Sequence, residues 1–127
     1  MTMQDGSGAS IMSFMGSHDK RVLIATELRS YREAVAEALQ FLCPDAAIFQ
    51  AESGDLDRET NRLRPDVVVC SRVTRLVECL VPNWVELYPD YAPWSVVSVR
   101  GARSTLTEIQ LPDLVSVVDR SEPSPSV

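Results

Sequence analysis

Arg64-Pro65-Asp66-Val67-Val68-Val69-Cys70-Ser71 places four consecutive apolar residues behind a Pro-Asp step and stops them at a serine. So short and continuous a run reads as a strand buried on both faces, because a half-exposed strand would alternate. Val22-Leu23-Ile24-Ala25 has the same form upstream. Between the two runs the periodicity turns helical. Tyr31, Ala34, Val35, Ala38, Leu39 and Leu42 form one apolar stripe, Ser30 and Glu33 have capping-box spacing, and Pro44 ends the helix. Ala46 to Ala51 reads as a further strand, and Asp55 as the cap of a short helix carrying Leu56 and Leu63, with Asp57 and Glu59 in its first turn. Strands alternating with helices over short connections predict an α/β domain with a mostly parallel sheet covered on both faces.

Beyond Cys70 the pattern loosens. Val73, Leu76, Val77, Leu80 and Val81 keep helical spacing up to Pro82, which puts Cys79 on the apolar side beside Leu76 and Leu80. Asn83 to Tyr88 alternates, with Trp84, Glu86 and Tyr88 on one side and Val85 and Leu87 on the other, as an extra strand would. Ser95 to Val99 reads as a strand closed by Gly101, and Thr105 to Ile109 as a short final one. Leu111, Leu114, Val115 and Val118 then make a last helix, with Pro112 in its first turn. Residues 1–19 and 121–127 lack periodicity and read as flexible tails around one domain over 20–120.

Composition narrows the function classes. A net charge of −6 over 127 residues argues against nucleic acid, which rewards clustered Lys and Arg. No apolar run reaches membrane-spanning length, and no signal peptide is legible, so the expected location is the cytoplasm. Cys43, Cys70 and Cys79 form no C-x-x-C pair and read as reduced thiols, with Cys70 inside the sheet. The one histidine, His18, falls in the N-terminal tail, so no metal site is expected.

Arg21 to Glu27, followed by Arg32-Glu33, and Arg64 to Ser71 together resemble the first strand and the third strand of a response-regulator receiver domain, over about residues 20–72. The subfamily is the one usually joined to a helix-turn-helix output domain. The resemblance implies a flavodoxin-like three-layer sandwich, here irregular after the third strand. It also implies where a phosphoryl-accepting site would lie: two acidic residues after the first strand for magnesium, an aspartate after the third, a hydroxyl after the fourth and a lysine after the fifth. The corresponding residues here are Thr26 and Glu27, then Ser71, then Ser98 or Val99, and no lysine follows Lys20. Attack of a carboxylate on a phosphoryl group needs metal and lysine to neutralise the crowded charge. The expectation is therefore a pseudo-receiver without cofactor or catalysis, serving as a protein-interaction or regulatory module in bacterial-type signalling. Between Gly101 and Thr105 there is no room for the helix through which receivers usually dimerise.

The alternative is a small-ligand-binding protein or an enzyme using the crevice at the strand ends around Glu27 and Ser71, where open α/β sheets bind ligands. Catalysis by Ser71 or Cys70 would need an adjacent base, and the loop after Ala25 has no glycine to cradle a phosphate. Trp84, Tyr88, Tyr91 and Trp94 crowd the segment between Pro82 and Ser95. They are either a flap finishing the core or an interaction surface, for an unknown protein partner or a second copy of the chain.

Overall fold

Val67–Cys70 is fully buried, as its unbroken apolar run requires, and forms strand β3 near the middle of a sheet. The computed structural model describes residues 20–121. In chain order its elements are β1 (Arg21–Ala25), α1 (Arg29–Leu42), β2 (Ala47–Gln50), α2 (Leu56–Leu63), β3 (Val67–Cys70), α3 (Arg75–Leu80), β4 (Asn83–Glu86), β5 (Ser95–Val99), β6 (Ala102–Leu106) and α4 (Leu111–Arg120). Residues 1–19 and 122–127, read above as tails, lie outside the described residues. Ser121, read as the first residue of the second tail, is buried, and its hydroxyl donates to the Val118 carbonyl at 2.7 Å.

The sheet has six strands in the order β2-β1-β3-β4-β5-β6. β2, β1, β3 and β4 are mutually parallel, with Val22 opposite both Ile48 and Val67, and Val67 opposite Asn83. β5 and β6 then join antiparallel. The core divides by strand alternation. Val22, Ile24, Val67, Val69 and Val85 face α1 and α4, whereas Leu23, Val68, Cys70 and Trp84 face α2 and α3. The chain steps from β1 to β2 in one direction across the sheet and from β2 through β3 to β4 in the other. Placing α1 on one face and α2 and α3 on the opposite face is what a single crossover hand demands. The result is a mixed, mostly parallel α/β three-layer arrangement. No described helix is long and apolar enough to cross a membrane.

Several sequence expectations are corrected. Irregularity begins after the fourth strand, not the third: Asn83–Glu86 extends the parallel sheet, with Asn83 buried and hydrogen-bonded to the Asp66 carbonyl (3.1 Å) and the Arg100 amide (3.1 Å). The last strand is Ala102–Leu106, not 105–109, because Val99 pairs with Ala102 and leaves only Arg100-Gly101 as a loop. Both loop residues have positive φ, 52° and 85°, as a two-residue hairpin turn requires. Ser30 does not cap α1: the helix starts at Arg29, and Glu33 is taken by Arg29 at 2.9 Å. Its buried face is Arg32, Val35, Ala36 and Leu39, one step round from the expected stripe, leaving Tyr31 and Leu42 exposed. Cys79 is also exposed. α3 is short and buries only Val77, and two residues along a helix turn the side chain by about 200°.

Candidate functional site

Connections leave β1 towards β2 and leave β3 towards β4, so the sheet's switch point lies between β1 and β3. There the loops separate and open a crevice at the carboxyl ends of the strands. The crevice is real, with a volume of about 330 Å3. Thr26, Glu27 and Leu28 line it from the end of β1, and Tyr31 from the first turn of α1. Ser71 and Arg72 follow β3, while Leu87, Tyr88, Asp90 and Tyr91 follow β4.

Its walls are tied together by side chains. The Glu27 amide donates to Ser71 Oγ at 3.0 Å, clamping the β1 loop to the β3 loop. Buried Arg32 donates from Nη1 to the Thr26 carbonyl at 2.7 Å and so fixes the start of α1 against the same loop. Glu86 accepts from the Val73 amide at 2.9 Å, and Ser95 Oγ accepts from the Tyr88 amide at 3.0 Å. Across the mouth, Arg72 pairs with Asp90 at 3.0 Å, both side chains being exposed. The Thr26 hydroxyl is buried and has no hydrogen-bond partner among the described residues.

The far wall is strained. Tyr88, Asp90 and Tyr91 all lie in the left-handed region, with φ of 44°, 52° and 62°. Each such residue costs of order 1 kcal/mol without a glycine's freedom, and outliers of this kind gather at ligand clamps and active sites. Their effect here is a tight turn over Pro89–Tyr91, in which the Tyr91 amide donates to the Tyr88 carbonyl at 3.1 Å and which brings Tyr88 and Tyr91 to the cleft. Burial, then the charge of Tyr88, raises the Tyr31 pKa above its ordinary value, which keeps this phenol neutral.

Thr26, Glu27 and Ser71 are therefore together, as the sequence reading placed them. Ser98 is not with them. β5 runs antiparallel to β4, so Ser98 lies opposite Trp84, near the other end of the sheet. It faces a second cavity with Cys79, Trp84 and Arg103, where Arg103 stacks 5.1 Å above the Trp84 ring and reaches Glu78 at 2.8 Å. The fourth strand ends at Glu86, so Leu87 and Tyr88 occupy the place where Ser98 or Val99 was sought. The aromatic group divides likewise. Trp84 is only 3% exposed and belongs to the core, Tyr88 and Tyr91 line the cleft, and Trp94 is half-exposed outside it. Tyr31, Arg72 and Asp90 escaped sequence reading. The helical stripe claimed Tyr31 for the core, and nothing local distinguishes Arg72 or Asp90 from solvated loop residues.

Charge at the site is sparse. Among the described residues no group of three His, Cys, Asp or Glu side chains could hold a metal ion. The chain's single lysine, Lys20, precedes β1, whereas the cleft follows it, a separation of roughly 20 Å at strand rise. Lys20 is occupied there, donating to the Val118 carbonyl at 2.8 Å and the Asp119 carbonyl at 3.2 Å. Cys70 is no nucleophile: burial, then Glu86, pushes its thiol up to about 12, and Sγ sits 3.7 Å from the Val85 carbonyl. The cleft can thus bind and orient a guest. Set against protein-family models, curated proteins and solved structures, the chain finds no match in any of the three.

Proposed function

We propose that this domain is a non-phosphorylatable, receiver-like regulatory module on a flavodoxin-like sheet, which holds a protein partner at the strand-end cleft in the cytoplasm. One observation carries the reading: the place where a receiver would carry its acidic phosphoacceptor holds Ser71, engaged as a loop clamp, facing tyrosines held there by a strained turn. Tyrosine gives large contact area at low entropic cost and is enriched among interface hot spots. The sheet order β2-β1-β3-β4 agrees with a flavodoxin-like core, and three free thiols suit a reducing compartment.

Two measurements test it. Acetyl phosphate with magnesium should leave the protein unmodified, and Ser71→Asp should not restore modification, because Lys20 is at the other end of β1. An acid-labile phosphoryl adduct on either protein would refute the pseudo-receiver reading. A photo-crosslinking residue at Tyr91 in the native cell should trap one discrete species that Tyr88→Ala removes, while the same residue at exposed Phe41 should not. Equal trapping at both positions would remove the cleft as the contact site.

A second reading is favoured by the cleft volume alone. About 330 Å3 lies at the lower end of small-molecule pockets. Saturable binding of a small metabolite at the same residues, with no trapped protein, would favour it.

A further inference from the structure

We infer that the cleft receives an organic cation, the guanidinium or ammonium group of an Arg or Lys side chain presented by a partner protein. The inference rests on the reading of the cleft as a protein-contact site and gives that contact its chemistry.

Three charged side chains line the cleft: Glu27, Arg72 and Asp90. Arg72 and Asp90 compensate each other at 3.0 Å. The Glu27 carboxylate has no hydrogen bond or ion pair among the described residues, so the lining carries one uncompensated negative charge. An anionic guest would meet that charge with little to offset it. The Glu27 amide is already committed to Ser71 and the Tyr88 amide to Ser95. A purely apolar guest would strip water from the carboxylate and return no partner, which is costly. A cation satisfies it. The same cation gains from the rings of Tyr31, Tyr88 and Tyr91, whose faces carry the negative part of the aromatic quadrupole. Leu28 and Leu87 add apolar surface for an alkyl stem. Tyr91 is 97% exposed and stands on the rim, where a protein segment would pass while its side chain descended. The chain's net charge of −6 draws basic partners from a distance.

The test is an amide chemical-shift titration with three probes: acetyl-Gly-Arg-Gly-amide, the same peptide with neutral norleucine, and choline. The arginine peptide should give saturable shifts at Glu27, Tyr31, Tyr88 and Tyr91, and the norleucine peptide should bind at least about fivefold more weakly. Glu27→Gln and Tyr91→Ala alter exposed side chains, so the melting temperature should hold while that preference falls about fivefold. Equal binding of arginine and norleucine peptides would overturn the cation while leaving a protein-contact cleft. Choline binding more tightly than the arginine peptide would overturn the partner side chain as its source. Absence of shifts with every probe, with crosslinking from Tyr91 intact, would overturn the cation alone; loss of both would remove the contact reading as well.

Discussion

Truncating Trp84 separates a core placement from a surface one. The indole is 3% exposed and packed in the cluster that includes Leu23, Leu56, Leu63, Val68, Val77 and Val81. It stands on β4, which is hydrogen-bonded to β3 on one side and β5 on the other, so the backbone cannot collapse into the space left behind. Removing a large aromatic from such a site costs about 3–5 kcal/mol. Loss of the Arg103 stacking at 5.1 Å adds about 0.5–1 kcal/mol. Against a total stability of about 5–15 kcal/mol for a domain of this kind, Trp84→Ala should fold marginally or not at all. Trp84→Phe, which keeps most of the volume, should cost about 1.5 kcal/mol and remain measurable. Trp94→Ala, at a half-exposed position, should cost less than about 1 kcal/mol. Urea unfolding followed by far-UV circular dichroism reads all three. Acrylamide quenching gives an independent measure, with Trp94→Phe reporting Trp84 and Trp84→Phe reporting Trp94. If the two alanine variants lose equal stability, or Trp84 quenches as readily as Trp94, the core placement is wrong.

The thiols and the buried threonine offer two further checks. Cys79 should react rapidly with a thiol reagent in the native state, while Cys70 should react only on unfolding; fast native labelling of Cys70, located by peptide mapping, would contradict its burial. Because the folded Cys70 pKa is raised from 9.0 to about 12, its contribution to stability should be whole below pH 9 and lost as pH climbs towards 12. Cys70→Ala should remove that part of the alkaline decline in denaturation midpoints. Thr26→Val replaces a buried hydroxyl that has no partner among the described residues, so it should raise stability by up to about 1 kcal/mol in urea unfolding. A loss of more than about 1 kcal/mol would mean that the hydroxyl is satisfied in solution.

Continuous apolar runs at Val22–Ala25 and Val67–Cys70, with helical periodicity between them, were enough to read an α/β sheet from the chain. Burial on both faces leaves no room for polar alternation, and that trace is local. The same locality placed Thr26, Glu27 and Ser71 at the strand ends, one or two residues beyond each run. What depended on partners distant in the chain was not legible. Whether 83–86 is a central parallel strand or a flap depends on β3 and β5 pairing with it on either side, and that pairing buries Trp84. The connection from Leu87 to Trp94 returns β5 antiparallel to β4 and carries Ser98 away from the crevice, through positive φ angles at Tyr88, Asp90 and Tyr91 that no glycine signalled. On α1, a periodic stripe defines a face only to within a residue or so. Arg32 took the buried position by reaching the Thr26 carbonyl, and Tyr31 was thereby turned to the cleft. The strand ends were written in the run of the chain, but the wall that faces them exists only because a strained turn at 88–91 folds back across the sheet.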